Sequence, residues 1–91
     1  AYASIVANKA NNLTNFGDAY VHDIELKNSG SNCINSAFKA LTVLKNVVID
    51  GTASNNGILC SSGSLVEMEN VAINNVAKRG IHCTDGTIKG W

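Results

Sequence analysis

The chain has 91 residues, with seven basic and seven acidic side chains, two histidines and no proline. This length gives room for one domain, so residues 1–91 are predicted to form a single unit. The balanced charge and the lack of a basic run argue against a nucleic-acid partner or an anionic membrane surface. No apolar run approaches the roughly 20 residues that span a bilayer.

The first 20 residues are the weakest copy of a pattern that the rest of the chain repeats. Ala3, Ile5 and Ala7 alternate as in a β-strand, whereas Asn15 and Gly17 indicate turns. Terminal repeats are often atypical because they cover the end of a stack. Residues 1–20 are therefore predicted to form a degenerate first coil.

Residues 21–88 contain three copies of one pattern with a period of 23 or 24 residues. The equivalent segments are 21–26, 44–49 and 68–73, followed by 33–36, 57–60 and 80–83. Leu41, Leu65 and Ile88 then follow in matching places. Short strands that recur at a constant period predict a parallel β-helix, in which equivalent residues stack on one another.

Apolar residues at alternate positions define the side chains that point inward. The inward set is Val21, Ile24 and Leu26, then Leu44, Val47 and Ile49, then Met68, Val71 and Ile73, with Ile34, Ile58 and Ile81 on the second run. The parity of the alternation shifts within each copy, so the chain must bend at Asp23, Asn46 and Asn70. Small polar residues of this kind tolerate the left-handed conformation that a corner needs.

A helix over residues 37–48 is the competing interpretation, since the segment Ala-Phe-Lys-Ala-Leu-Thr-Val-Leu-Lys has fair helix propensity. The equivalent segment 61–72 begins Ser-Ser-Gly-Ser and is unsuited to a helix. The repeat therefore favours strands in both places.

Two neighbouring outward columns carry the most polar strand face. One column contains His22, Lys45 and Glu69, and the other contains Tyr20, Val43 and Glu67. Three interpretations stay open: an acid/base pair, a saccharide-binding strip with Tyr20 as an aromatic platform, or a solvated face with a weak pair between Lys45 and Glu69.

Three cysteines are an odd set for a disulfide framework. Cys60 and Cys83 take equivalent places on adjacent coils, which favours a stack of buried thiols over a disulfide. Cys33 falls outside that column. His82 alone lies near these thiols in sequence, and it is predicted to face outward, so no metal site is predicted.

The repeat resembles that of pectate-lyase-like proteins. The resemblance is carried by Leu-Lys-Asn-Val-Val-Ile-Asp-Gly at 44–51, by Asn-Gly-Ile at 56–58 and by Gly-Ile-His-Cys at 80–83. It covers about three quarters of the chain and implies an all-β, right-handed parallel β-helix (solenoid), here of about four coils. The superfamily includes lyases, hydrolases and non-catalytic solenoids, so the resemblance implies a fold more strongly than a function.

Resemblance to the lyases implies carboxylates that hold calcium and an Arg or Lys that removes a proton from a uronate. On that interpretation Glu67 and Glu69 supply carboxylates, and Lys78 or Arg79 is the base. The two pairs are predicted to lie on different faces. The leading hypothesis is therefore a non-catalytic module, structural or saccharide-binding and without a cofactor, and a polysaccharide-active enzyme or a fragment of one is the alternative.

Neither end of the predicted stack carries a convincing cap, although Trp91 is expected to lie over the last coil. Open strand edges pair readily with other strands. The chain is thus predicted either to form a homo-oligomer through its ends or to be part of a longer chain.

Overall fold

A computed structural model of the chain describes residues 3–7, 10–28, 30–51 and 56–90. Regular structure in this part of the chain is entirely β, and residues 37–48 contain no helix. The strands are β1 (Ala3–Ala7), β2 (Leu13–Asn15), β3 (Asp18–Asn28), β4 (Ile34–Ser36), β5 (Leu41–Asp50), β6 (Asn56–Ser61), β7 (Leu65–Asn74), β8 (Arg79–Thr84) and β9 (Thr87–Gly90). The predicted all-β class is confirmed: in the segment that competed as a helix, residues 37–40 form a connection and residues 41–48 belong to strand β5.

Every strand pairing is parallel, and the strands form two sheets. One sheet has the order β1-β3-β5-β7-β9 and the other has the order β2-β4-β6-β8. Strands β3, β5 and β7 each bend once, which divides the first sheet into two sides of the solenoid. We call these side A (18–22, 41–45, 65–69 and 87–90) and side B (3–7, 24–28, 47–50 and 71–74), and the second sheet is side C.

The bends lie at the three predicted corner residues. Asp23, Asn46 and Asn70 have φ of 53°, 54° and 54°, which is the left-handed region. Their side chains also form a ladder along the stack: the amide of Asn46 donates to Asp23 Oδ1 at 3.1 Å, and the amide of Asn70 donates to Asn46 Oδ1 at 2.9 Å. Short polar side chains suit these positions because they tolerate this conformation and bond locally.

The core is a set of apolar columns that the three sides enclose. Strand register stacks Leu26 on Ile49 and Ile49 on Ile73, and on side C it stacks Ile34, Ile58 and Ile81. The central members are the most enclosed, with Ile49 and Ile58 both 0% exposed. A residue reaches this burial when a layer lies on each side of it.

Buried asparagines order the connections between sides B and C. The amide nitrogen of Asn28 donates to the carbonyl oxygens of Ala10 and Asn32, and its Oδ1 accepts from the backbone N–H groups of Gly30 and Ser31. In the next layer, the amide of Asn56 donates to Asn32 Oδ1 at 3.0 Å. The bonds of Asn28 satisfy backbone groups that a connection would otherwise bury without partners, whereas the bond from Asn56 joins two side chains of successive layers.

Three details of the prediction need correction. The chain makes about three turns rather than four. Ala3, Ile24, Val47 and Val71 lie above one another on side B, so the chain completes three turns between the first and the last of them. Ile88 stacks on Val66 and not on Leu65, because the last connection between sides C and A is one residue shorter.

The third correction concerns Asn15, which lies in strand β2 and not in a turn. Its side chain is buried, and its amide is satisfied there because it donates to the carbonyl oxygen of Leu41 and to Thr42 Oγ1 in the next layer. The predicted place of Trp91 falls outside the described residues.

Candidate functional site

The two predicted outward columns lie next to each other on side A. Register pairs His22 with Lys45 and Lys45 with Glu69, and it pairs Tyr20 with Val43 and Val43 with Glu67. Alternate residues of a strand point to the same face. The outward side chains therefore form one surface, the polar face, consisting of Tyr20, His22, Val43, Lys45, Glu67 and Glu69.

An open groove of about 510 Å³ lies on the polar face. Its lining residues are Tyr20, Val43, Leu44, Lys45, Glu67, Met68 and Glu69. The groove thus contains one exposed aromatic ring, one basic group and two carboxylates from three successive layers. Its open shape suits a ligand that lies along the surface more than a small molecule that is enclosed.

Tyr20 is held by its neighbour two residues along the same strand. Its side chain is 61% exposed, and its ring stacks on that of His22 with centroids 4.9 Å apart and an angle of 29° between the planes. His22 is fixed in turn, because its Nδ1 lies 2.8 Å from Asp23 Oδ2. This hydrogen bond, aided by that from Asn46, lowers the pKa of Asp23 below its ordinary value of 3.8.

The basic and acidic groups of the groove are arranged across layers. Lys45 Nζ lies 3.4 Å from Glu69 Oε2, and both side chains are at least half exposed. Register places Glu67 beside Lys89 of β9. An exposed pair of this kind contributes about 0–1 kcal/mol to stability, so these charges shape the electrostatics of the face more than they hold the fold together.

Lys78 and Arg79 lie away from the groove. Arg79 is the first residue of β8 on side C, and Lys78 belongs to the connection that precedes it. Both are exposed, whereas Glu67 and Glu69 belong to side A. The five residues of the predicted binding strip thus share one face, and the two candidate bases do not join them.

The donor set of the groove does not fit calcium. Calcium in proteins takes about 6–8 oxygen ligands, whereas the groove offers the carboxylates of Glu67 and Glu69, one of which pairs with Lys45. Within the described residues, no three side chains of the types His, Cys, Asp or Glu come together as a potential metal site.

The thiol column forms as predicted, with one difference at its end. Register stacks Cys60 on Cys83, and all three cysteines are free. Cys60 is buried, but Cys83 is exposed, which corrects the prediction that both thiols are buried. The reason is that Cys83 belongs to the last layer of the described residues, which do not include a further coil above it.

An exposed aromatic pair at the corner between sides C and A was not predicted. The rings of Phe16 and Phe38 meet edge to face with centroids 5.0 Å apart. The two residues are 57% and 66% exposed. The two residues lie 22 positions apart, close to the repeat period, which is the signal that could have identified them. Neither residue lines the groove.

Comparison with protein-family models, with curated proteins and with solved structures found no match. Among the described residues there is also no helix with the length and apolar character needed to cross a membrane.

Proposed function

We propose that this chain is a non-catalytic β-helical module that binds an extended saccharide along the polar face. The observation that carries the proposal is the groove in which the exposed ring of Tyr20, fixed by stacking on His22, lies beside Lys45, Glu67 and Glu69. A flat aromatic ring provides an apolar surface for a sugar ring, and nearby polar groups supply hydrogen bonds that set its orientation.

Charge around the groove favours an uncharged polymer over a polyuronate. Four carboxylates belong to side A or its corner, namely Asp18, Asp23, Glu67 and Glu69, and they face two lysines, Lys45 and Lys89. The local excess of negative charge repels a polyanion, because like charges at an interface reduce affinity and slow association. An uncharged polysaccharide is therefore the expected class of ligand, and a neutral glucan serves as its probe.

A polysaccharide-active enzyme of the pectate-lyase-like class is the second candidate. An enzyme of this kind needs a base and carboxylates within reach of one sugar. Glu67 and Glu69 lie on side A, and Lys78 and Arg79 lie at the start of side C. This separation, together with the poor fit to calcium, gives the enzyme less support than the binding module.

Two measurements on the same protein separate these candidates. The first is retention on an insoluble neutral glucan and on an insoluble uronate polymer. The second is incubation with a soluble uronate polymer, with and without calcium, with ultraviolet absorbance used to detect unsaturated products. We expect retention on the neutral glucan and no absorbance change. Product formation that disappears in Arg79→Ala would overturn the binding proposal in favour of the lyase.

The variant Tyr20→Ala tests the platform directly. We expect it to weaken retention on the glucan by about tenfold or more, since stacking and burial of an aromatic ring contribute on the order of 1–2 kcal/mol. The matched control is Phe38→Ala, which removes an equally exposed ring outside the groove. Equal losses in the two variants would show that retention reflects nonspecific adhesion of exposed aromatic rings.

A further inference from the structure

One carboxylate of the groove has no counter-charge among the residues that the structure describes. Glu69 pairs with Lys45, whose Nζ lies 3.4 Å from Oε2 of that glutamate. Glu67 also lines the groove, and no basic side chain of the described residues comes within ion-pair distance of its carboxylate. Glu67 is partly buried, whereas Glu69 is exposed. A carboxylate that is partly withdrawn from water and has no partner is stabilised by a cation.

Glu67 lies in the same outward column as the aromatic ring of the groove. Register pairs Tyr20 with Val43 and Val43 with Glu67, so the ring and the carboxylate are two layers apart. Adjacent strands lie about 4.8 Å apart, which puts the two Cα atoms roughly 10 Å from each other. Val43 supplies an apolar surface between them. A sugar ring that rests on Tyr20 and Val43 therefore has a substituent within reach of Glu67.

The charge of a ligand decides how well it uses this arrangement. A polyuronate brings like charge towards Glu67 and is repelled. The hydroxyl of an uncharged sugar can donate a hydrogen bond to the carboxylate, but it leaves the negative charge uncompensated. A protonated amine donates a hydrogen bond of the same kind and also neutralises the charge.

Two lysines near the groove are the competitors of a ligand amine. Lys45 is held in its pair with Glu69 in the neighbouring column. Lys89 is the register partner of Glu67 in the next layer, but its side chain is exposed and makes no ion pair with Glu67 in the described part of the chain. A ligand amine can thus bind Glu67 without displacing an existing ion pair.

We propose that the groove prefers a polymer of amino sugars, with Glu67 as the residue that binds the protonated amine. The charge of the whole polar face excludes polyanions and admits uncharged polymers, and Glu67 adds a preference for polymers that carry amines. This proposal rests on the proposed saccharide-binding function and narrows it. Tyr20 is the platform shared by both kinds of polymer, and Glu67 is the residue that determines specificity.

Binding of two matched oligosaccharides tests this proposal. The ligands are a β-1,4-linked glucose oligomer and a β-1,4-linked glucosamine oligomer of equal length, in which an amine replaces one hydroxyl of each ring. Isothermal titration calorimetry is run at about pH 6, where a primary amine is largely protonated. We expect the glucosamine oligomer to bind about fivefold more tightly, which is the effect of one partly exposed charge pair. High salt should reduce this preference, because screening weakens the attraction.

Three variants assign the preference to Glu67. Glu67→Gln keeps the shape of the side chain and removes its charge, so it should remove the preference for the glucosamine oligomer. Glu25→Gln makes the same chemical change on side B and should leave the preference as it is. Lys89→Gln removes the cation next to Glu67 in register and should increase the preference.

The outcomes separate this proposal from the binding function on which it rests. Equal affinity for the two oligomers, with both weakened by Tyr20→Ala, would overturn the preference for amines and leave the saccharide site in place. If neither oligomer binds, both proposals are wrong. A preference that survives in Glu67→Gln would contradict the role of this residue. Competition by polylysine as strong as that by the glucosamine oligomer would show attraction of any cation, and it would also overturn the proposal.

Discussion

At the scale of single residues, burial in this protein depends on how many layers cover a side chain. Ile49 lies in a central layer, with Leu26 beneath it and Ile73 above it, and it is fully buried. Val48, the next residue along the strand, points outward between Glu25 and Ala72. The two neighbours provide a matched pair for testing the inward and outward assignments.

We expect Ile49→Asp to unfold the protein, because an unpaired charge buried in the central column costs several kcal/mol. Val48→Asp should lower the free energy of unfolding by only about 1 kcal/mol, since its side chain is partly exposed on the outward side and the loss comes from the low strand propensity of Asp and its position beside Glu25. Urea denaturation followed by circular dichroism measures both. A folded Ile49→Asp variant with a normal unfolding midpoint would contradict the inward assignment.

The corner residue Asp23 gives a second prediction at this scale. Hydrogen bonds from His22 and then from Asn46 lower its pKa below 3.8. A carboxyl whose pKa is lowered in the folded state adds stability above its unfolded pKa and loses that contribution as the pH falls through the folded value. The contribution should therefore be complete above about pH 5 and be lost progressively at more acidic pH.

Titration of the Asp23 carboxyl by nuclear magnetic resonance measures this pKa. In His22→Ala the midpoint should move upward towards the ordinary value, because the first of the two hydrogen bonds is lost. Asn46→Gly should produce a smaller upward shift, since it removes the weaker contribution and a glycine accepts the positive φ at this corner. An unchanged midpoint in both variants would show that the corner ladder does not act on Asp23.

At the scale of structural elements, the distance between layers decides which small residues can be replaced. Gly57 and Gly80 occupy equivalent positions on β6 and β8. A Cβ at Gly57 would lie 2.6 Å from the carbonyl oxygen of Gly80 and 2.7 Å from Cγ2 of Ile73. A Cβ at Gly80 would lie 3.5 Å from Cγ2 of Ile73, which is ordinary contact.

The same substitution should therefore have different effects in adjacent layers. Gly57→Ala should lower the free energy of unfolding by about 1–3 kcal/mol, because an added methyl group forces the next layer outward. Gly80→Ala should change it by less than about 0.5 kcal/mol. Thermal unfolding of the two variants measures the difference, and equal stability would contradict the close approach of β6 to β8.

The elements were predictable where the repeat is regular. The break in alternation at Asp23, Asn46 and Asn70 locates the corners, and the structure confirms both the bends and the positive φ. The register of Ile88 was wrong because nothing in the alternation shows that the connection before β9 is a residue shorter. The strand position of Asn15 was missed because its burial depends on acceptors in the next layer and not on its own neighbours.

At the scale of the whole molecule, the open groove lies on one side of the solenoid, along the polar face of side A. The polar face could be predicted from the sequence, since equal spacing in each copy places Tyr20, Lys45 and Glu69 on adjacent columns. The groove between these side chains and the stacking of Tyr20 on His22 depend on rotamers that no periodicity fixes. The exposure of Cys83 could not be predicted from its residue type either, because it depends on the position of Cys83 in the last layer.

The most direct test of the central claim is a map of backbone amide shifts by nuclear magnetic resonance, recorded during titration with a soluble neutral glucan oligosaccharide. We expect the shifts to concentrate at Tyr20, Val43, Lys45, Glu67 and Glu69, with few changes on side C. Shifts centred on Arg79 and His82, or the same pattern in Tyr20→Ala, would contradict the assignment of the polar face as the saccharide-binding surface.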